Sequence, residues 1–246
     1  MARRNTIGCT NALKLALRGS QIFMDKTPFA GDTDMDTWSV AGTTLNSRFL
    51  LGTAGYPSPQ VLTQSLSASS AQIVTVGLKR QLAAAGDNGF VAHIRNHVQA
   101  TGGYLLPNTA GCTSAREAVQ LAHMARELYE TDWVKLEVVG DEYTLQPDPI
   151  ELIAAARELV GAGFVVFPYC TDDLVTCKRL LDVGCPVLMP WGAPIGSGQG
   201  LINPFALRTL RERLPDATLI IDAGIGSPHD RELHEMFGSA IDVRAK

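Results

Sequence analysis

Short apolar runs recur along the chain from Trp38 onward, and longer amphipathic segments separate them. The runs are rich in valine, isoleucine and leucine and stop near glycine, proline, asparagine or aspartate, which is typical of buried strands. We predict strands at 48–52, 72–76, 104–107, 133–141, 164–168, 186–190 and 218–222, with a short eighth strand at 240–243.

Helix signals fill the intervals between these strands. Ser58 is a favourable helix start, and Thr113-Ser114 with Glu117 forms a capping box. We predict helices at 58–67, 90–99, 113–128, 149–161, 172–183, 203–214 and 228–237. Strands that alternate with helices in this way predict an α/β fold, a parallel (β/α)8 TIM barrel. An open doubly wound sheet has the same alternation and is the main alternative.

Glycines and polar residues gather directly after the predicted strands. They occupy 52–55, 108–112, 140–141, 172–173, 192–200 and 223–226. In a (β/α)8 barrel all of these segments share the C-terminal face, where active sites are built. This placement favours the barrel over the open sheet.

The apolar run at 133–141 carries two charged residues, Lys135 and Glu137. Because side chains alternate across a strand, both point to the same face. Burial disfavours a charged amine and lowers its pKa, which makes it a nucleophile able to form a Schiff base. A carboxylate close by is placed to move protons around that imine. A buried ion pair that only fixes packing explains the same pattern equally well.

Two glycine-rich loops follow the sixth and seventh predicted strands, at 191–200 and 223–227. Backbone N–H groups of such loops approach anions closely, and late loops of these barrels often hold a phosphate. We predict a phosphate site here; two tight turns are the alternative. Asp222 ends the strand before the second loop. It should face the mouth of the barrel, the opening at the C-terminal ends of the strands, as Lys135 and Glu137 do. Capping of the next helix is its alternative role.

Composition and charge narrow the class of protein. The chain has 246 residues, 46% of them hydrophobic, and a net charge of −4, which is typical of a soluble globular protein and gives no support for nucleic-acid binding. No apolar run approaches the roughly 20 residues that span a bilayer. The five cysteines lack metal-ligand spacing, and their odd number predicts free thiols in the cytoplasm.

The remaining polar residues indicate little chemistry. His93 and His97 are spaced as a helical pair without a nearby third ligand, so we interpret them as surface residues and expect no metal site. Asp172 and Asp173 are predicted to cap a helix. Residues 1–36 are basic and predict a disordered or loosely docked extension, with a transit peptide as the alternative, ahead of a catalytic barrel at 37–246.

Six motifs resemble those of the bacterial thiazole synthases of thiamine biosynthesis, over about residues 38–238. They are Ser-Arg-Phe-Leu-Leu-Gly-Thr at 47–53, Ile-Val-Thr-Val at 73–76, Leu-Pro-Asn-Thr-Ala-Gly-Cys at 106–112, Val-Lys-Leu-Glu-Val at 134–138, Met-Pro with Gly-Ala-Pro-Ile-Gly-Ser-Gly at 189–198, and Asp-Ala-Gly-Ile-Gly at 222–226.

This resemblance implies a TIM barrel that forms homo-oligomers. It implies that Lys135 forms an imine with the ketone of 1-deoxy-D-xylulose 5-phosphate, and that Glu137 and Asp222 act as acid and base. A tautomerisation then moves the carbonyl along the sugar. The C-terminal thiocarboxylate of a sulfur carrier protein delivers sulfur, and dehydroglycine from a partner enzyme closes the thiazole ring.

The resemblance also assigns the sugar phosphate to three residues, Gly196, Ala223 and Gly224. It implies neither a metal nor an organic cofactor, and neither nucleic acid nor membrane as a partner.

The chain departs from the family pattern at three places. Residues 52–56 read Gly-Thr-Ala-Gly-Tyr where the family usually has Gly-Thr-Gly-Lys-Tyr, and Trp191 replaces a small aliphatic residue. The family's eighth strand ends in Asn-Thr, which falls on Ala245 and Lys246, so the last strand or helix is expected to be short or missing. Poor barrel closure, a covering subunit, a fragment and a frameshift near Gly238 are the alternatives.

Three functions follow from this comparison. The first is thiazole synthase. The second is a related phosphosugar sulfurtransferase, a thiosugar synthase, that uses the same lysine; the altered first loop and Trp191, which should line the mouth, motivate it. The third is a catalytically impaired homologue that binds the carrier protein.

Overall fold

The computed structural model describes residues 37–79, 88–226 and 240–243. The predicted extension at 1–36 and the predicted helix at 228–237 lie outside these ranges. Within them, every helix is too short or too polar to cross a membrane.

Eight parallel strands form a closed barrel, which confirms the predicted fold class. Each strand pairs with its neighbours in the sequence, and the last strand closes the ring on the first. A two-stranded hairpin precedes them in the chain, so their numbering begins at three. The strands are β3 Phe49–Gly52, β4 Ile73–Gly77, β5 Tyr104–Asn108, β6 Trp133–Leu136, β7 Val165–Cys170, β8 Val187–Pro190, β9 Thr218–Asp222 and β10 Ala240–Val243.

The short eighth strand, β10, pairs on both of its edges. Asp242 is in register with Asp222 of β9 on one side and with Leu50 of β3 on the other. Across these strands the barrel is therefore closed.

Alternation along the strands separates two buried clusters. One lies in the barrel lumen and includes Leu50, Ile73, Leu106, Phe167, Val187, Met189 and Ile220. The other lies between the strands and the helices and includes Leu51, Val74, Val134, Leu136, Val166, Leu188 and Leu219. The lumen is therefore filled with side chains, and a polar residue on the inner face is buried.

Six described helices cover the outside of the barrel. They are α1 Pro59–Ser69, α2 Asn88–Ala100, α3 Ala115–Tyr129, α4 Pro149–Gly161, α5 Leu174–Asp182 and α6 Pro204–Arg213. The predicted caps Ser58 and Ser114 both accept a backbone N–H of the first turn. Of the predicted pair at the start of α5, Asp173 is the cap, whereas Asp172 accepts a hydrogen bond from a side chain on another loop.

An antiparallel hairpin precedes the barrel, although the sequence pattern predicted strand–helix alternation from Trp38 onward. Its strands are β1 Trp38–Val40 and β2 Thr43–Leu45. Trp38, Val40 and Leu45 are buried in the lumen cluster. Because the chain runs from the hairpin directly into the start of β3, these side chains fill the end of the lumen at which the strands begin.

The apolar run at 133–141 forms a shorter strand than predicted, since β6 ends at Leu136. Beyond that residue the backbone bonds to the loop after β5. The hydroxyl of Thr109 accepts the N–H of Glu137, and Val139 donates to the carbonyl of Cys112. Side-chain and loop acceptors thus replace the sheet ladder here.

Candidate active site

Lys135 lies in the barrel lumen with no exposed surface. Strand pairing places it there, in register with Asn108 of β5 and Phe167 of β7. Its Nζ is 2.6 Å from Oδ2 of Asp222 and 3.7 Å from Oε1 of Glu137. The three residues predicted to be catalytic therefore meet at one point.

Glu137 is held at this point by Thr109, a residue that the sequence analysis did not single out. Oγ1 of Thr109 accepts the backbone N–H of Glu137 and donates to its carbonyl oxygen, both at 2.8 Å. Thr109 itself is buried. One hydroxyl thus replaces the missing strand pairing and fixes the backbone that carries the carboxylate.

Asp222 is held by the end of β8. Trp191 forms an isolated parallel bridge with Asp222, and the carbonyl oxygen of Asp222 accepts the N–H of Gly192 at 3.0 Å. Its carboxylate contacts Lys135 across the lumen. This is the orientation that we expected for a residue facing the same mouth.

The cluster of one amine and two carboxylates is costly to bury. Removing charges from water has a penalty that pairing only offsets, so an apolar set of side chains would give a more stable barrel. Sites of this kind are retained for function more often than for packing. This argument favours chemistry over the purely structural ion pair that the sequence left open.

The two glycine-rich loops pack against each other at the same end of the barrel. The carbonyl oxygen of Gly224 accepts the N–H of Gly200 at 2.8 Å. A Cβ on Gly224 would lie 2.4 Å from the nitrogen of Ala193, and a Cβ on Gly226 would lie 2.4 Å from the carbonyl oxygen of Gly198. Only glycine allows the loops to approach this closely.

The residues predicted to bind phosphate stand on these loops. Gly196, Ala223 and Gly224 all have positive φ, of 83°, 65° and 77°. For Ala223 this conformation costs about 1 kcal/mol, a strain that is common at ligand sites. Since Ala223 directly follows Asp222, an anion on the second loop would lie next to the lysine cluster. Phosphate binding here stays a prediction.

Cys112 lies close to Glu137 of the lysine cluster but is a poor nucleophile. It is fully buried at the end of the loop that carries Thr109. Burial raises the pKa of the Cys112 thiol to about 11, although the nearby Lys79 lowers it. At neutral pH the thiol is therefore protonated, which leaves the amine of Lys135 as the candidate nucleophile.

Two polar contacts at the mouth were not predicted. Lys79, just after β4, donates to the carbonyl of Gly111 at 2.6 Å and pairs with Glu117. Nε1 of Trp191 donates to Oδ1 of Asp172 at 3.1 Å. Each contact joins two loops that are far apart in sequence, so no local pattern signals it.

Metal ligands are not gathered at the site. Among residues 37–79, 88–226 and 240–243, no group of three or more histidine, cysteine, aspartate or glutamate side chains could hold an ion. His93 lies on the exposed side of α2, where it pairs with Thr63 of α1. The interpretation of His93 as a surface residue is confirmed.

Comparisons with known proteins identify the family of this chain. The family model described as thiazole biosynthesis protein ThiG matches residues 39–241. The thiazole synthase of Coxiella burnetii (strain RSA 331) is 55% identical over 205 residues, which cover 83% of this chain and 78% of the relative. The thiazole synthase of Burkholderia lata is 56% identical over 197 residues, covering 80% and 71%.

Solved structures add the fold. The Amycolatopsis orientalis BexX/CysO complex contains a chain that aligns with a TM-score of 0.72 at 25% identity, covering 84% of this chain and 83% of that one. The YdjI aldolase from Escherichia coli K12 aligns with a TM-score of 0.53 at 12% identity, covering 80% and 75%, which supports the barrel fold alone. The family match spans most of the chain, and the curated relatives are more than half identical to it. This chain therefore belongs to the ThiG family of thiazole biosynthesis proteins.

Proposed function

We propose that this chain is a thiazole synthase that forms the thiazole phosphate moiety of thiamine through a Schiff base on Lys135. The observation that carries the proposal is the amine of Lys135, fully buried and in contact with the carboxylates of Asp222 and Glu137. An amine so placed can condense with a ketone, and the carboxylates can move the protons that this requires.

Imine formation begins with the transfer of a proton from Lys135 to Asp222, the nearer carboxylate at 2.6 Å. The neutral amine attacks the ketone carbon of 1-deoxy-D-xylulose 5-phosphate, and the oxygen leaves as water after it is protonated. The nitrogen then forms a C=N bond in place of the C=O bond. Exclusion of bulk water from the lumen strengthens each of these charge interactions.

Glu137 is proposed to carry the later proton shifts. Its Oε1 lies 3.7 Å from the Lys135 nitrogen, farther than the Asp222 contact at 2.6 Å. A proton leaves the hydroxyl-bearing carbon next to the imine and returns to the former imine carbon, while the hydroxyl proton passes to the nitrogen. The C=N bond becomes a single bond, and a ketone forms one carbon further along the sugar. The Thr109 hydroxyl fixes the backbone of Glu137 during both transfers.

The sugar phosphate is proposed to bind at Gly196, Ala223 and Gly224. Positive φ values in the two touching loops are typical of turns whose backbone N–H groups bind anions. Phosphate held there would place the substrate next to Asp222, which precedes Ala223.

The remaining reactants are proposed from family membership. The sulfur donor is the C-terminal thiocarboxylate of a sulfur carrier protein, and a partner enzyme supplies dehydroglycine. A solved relative, BexX, forms a complex with a second protein, CysO, which supports a protein partner. We also propose a homo-oligomer in the cytoplasm, where the four described thiols would stay reduced.

Reductive trapping tests the proposal. The protein is incubated with 1-deoxy-D-xylulose 5-phosphate and sodium borohydride, and the labelled residue is located by mass spectrometry. We expect an adduct on Lys135 that is absent from Lys135→Ala. The exposed Lys178 on α5 provides the matched control, since Lys178→Ala should leave the labelling unchanged. A folded wild-type protein without an adduct on Lys135 would exclude the mechanism.

The thiosugar synthase is kept as a second candidate function because Trp191 stands at the mouth beside Asp222. The same trapping experiment separates the two. Labelling of Lys135 by another phosphosugar, with none from 1-deoxy-D-xylulose 5-phosphate, would favour the second function.

A further inference from the structure

Trp191 lies at the inner rim of the barrel. It directly follows β8, whose residues Val187 and Met189 belong to the lumen cluster, so alternation turns its side chain to the same inner face. Its bridge partner Asp222 faces the lumen as well, since its carboxylate contacts Lys135. The indole is half-buried, as expected at a mouth.

Two hydrogen bonds hold Trp191, one from its backbone and one from its indole. The backbone N–H of Trp191 donates to the carbonyl of Cys170 at 3.0 Å, and Nε1 donates to Oδ1 of Asp172 at 3.1 Å. Asp172 itself follows β7 and is free of the capping role that its neighbour Asp173 performs. The side chain of Trp191 thus connects the loops that follow the neighbouring strands β7 and β8.

The backbone of Trp191 joins the two parts of the proposed substrate site. The lysine cluster lies next to it through Asp222, and the first glycine loop begins with the next residue, Gly192. A phosphosugar whose ketone reaches Lys135 and whose phosphate reaches these loops must pass beside the indole. A rigid, hydrogen-bonded ring at this place limits the size of what fits.

We propose that Trp191, held by Asp172, is a specificity-determining residue that restricts the site to short, unbranched keto-sugar phosphates of five carbons. This inference rests on the proposed function and deepens it, because it names the feature that sets the substrate class. The indole strengthens the exclusion of six-carbon ketose phosphates, which the lysine chemistry by itself would accept.

The test compares two probes by borohydride trapping on Lys135. They are 1-deoxy-D-xylulose 5-phosphate and D-fructose 6-phosphate, and the readout is the ratio of six-carbon to five-carbon adduct by mass spectrometry. Trp191→Leu should raise this ratio about tenfold over wild type, the size of effect that one pocket contact typically has. Asp172→Ala, which releases the indole, should raise it by a smaller factor.

Conservative variants separate the hydrogen bond from general damage. Asp172→Asn keeps an oxygen acceptor for Nε1 and should retain the wild-type ratio. Trp191→Phe keeps much of the ring volume but loses the donor, and should resemble Asp172→Ala. Thermal unfolding of each variant controls for folding; if Trp191→Leu does not fold, the comparison of Asp172→Ala with Asp172→Asn decides the question.

The outcomes are distinct. An unchanged ratio in Trp191→Leu, with normal five-carbon labelling, would overturn the role of Trp191 and leave the proposed function intact. Absence of five-carbon labelling in the wild type would overturn the proposed function and this inference with it.

Discussion

The amine of Lys135 lies closer to Asp222, on the opposite side of the lumen, than to Glu137 on its own segment. The distances are 2.6 Å and 3.7 Å. Proximity in sequence therefore does not identify the first proton acceptor; the closure of the barrel does. This difference supports the proposal that Asp222 serves imine formation and Glu137 the later proton shifts.

Two substitutions should separate these roles. Asp222→Asn removes the nearer base and should slow adduct formation on Lys135 about a hundredfold. Glu137→Gln should change trapping only a few-fold but should abolish thiazole formation. Time-resolved trapping and a product assay measure the two steps. Equal losses of trapping in both variants would contradict this division.

The free energy of unfolding should depend on the charge balance among the buried Lys135, Glu137 and Asp222. Lys135→Met leaves two buried carboxylates without their counter-charge and should reduce the free energy of unfolding by about 3 kcal/mol. Adding Glu137→Gln and Asp222→Asn to that variant removes the uncompensated charges and should restore most of the loss. Urea unfolding of both variants measures this. A triple variant no more stable than Lys135→Met would show that the charges are not the cause.

The hydroxyl of Thr109 should act through the position of Glu137. Thr109→Val removes both hydrogen bonds to the buried backbone of Glu137 and should cost about 2 kcal/mol of stability. Thiazole formation should fall while trapping on Lys135 persists. Thr109→Ser restores the hydroxyl and should recover turnover; failure of this rescue in a folded protein would argue against a positioning role.

The close approach of the glycine loops should matter for phosphate. Gly224→Ala forces a Cβ to within 2.4 Å of Ala193 and should weaken binding of inorganic phosphate at least tenfold, measured by calorimetry. Gly42 provides the control, since its φ of +78° matches the +77° of Gly224 but no atom lies within 4 Å of a Cβ there. Gly42→Ala should lower stability by about 1 kcal/mol through backbone strain alone. Equal phosphate affinity in the two variants would place the anion elsewhere.

The buried thiols of Cys112 and Cys185 should make the protein less stable at high pH. Burial raises the pKa of Cys112 to about 11 and that of Cys185 to about 12. Because the folded state holds these protons more tightly than the unfolded chain, the stabilisation is complete below pH about 8.5 and is lost as pH rises toward the folded values. Unfolding measured between pH 8 and 11 should show this decline, and Cys112→Ala should make it shallower. A decline of equal slope in Cys112→Ala would exclude this thiol as a source.

Sequence patterns sufficed for the barrel because each strand carries its own signal. The run from Thr218 to Asp222, for example, is apolar up to a polar end, and the observed strand has these bounds. The hairpin was not predicted because its strands have only three residues, as in Trp38–Val40. So short a segment does not show a recognisable alternation of apolar and polar residues.

Only some residues of the candidate site could be predicted from the sequence. Lys135 and Asp222 could be selected because charges at the ends of apolar strands conflict with burial. Thr109 could not, since its role depends on where β6 stops, which is decided by competition between a hydroxyl and the sheet ladder. Asp172 was assigned to a helix cap because local rules cannot anticipate a donor from another loop, here Trp191.

The hairpin that fills the far end of the lumen has a consequence for the direction of access. With Trp38 and Leu45 packed against the lumen side chains, the described part of the barrel is plugged where its strands begin. Any molecule that reaches Lys135 through the lumen would therefore come from the opposite end, where the glycine loops lie. A segment that takes no part in the proposed chemistry thus makes the two ends of the barrel unequal.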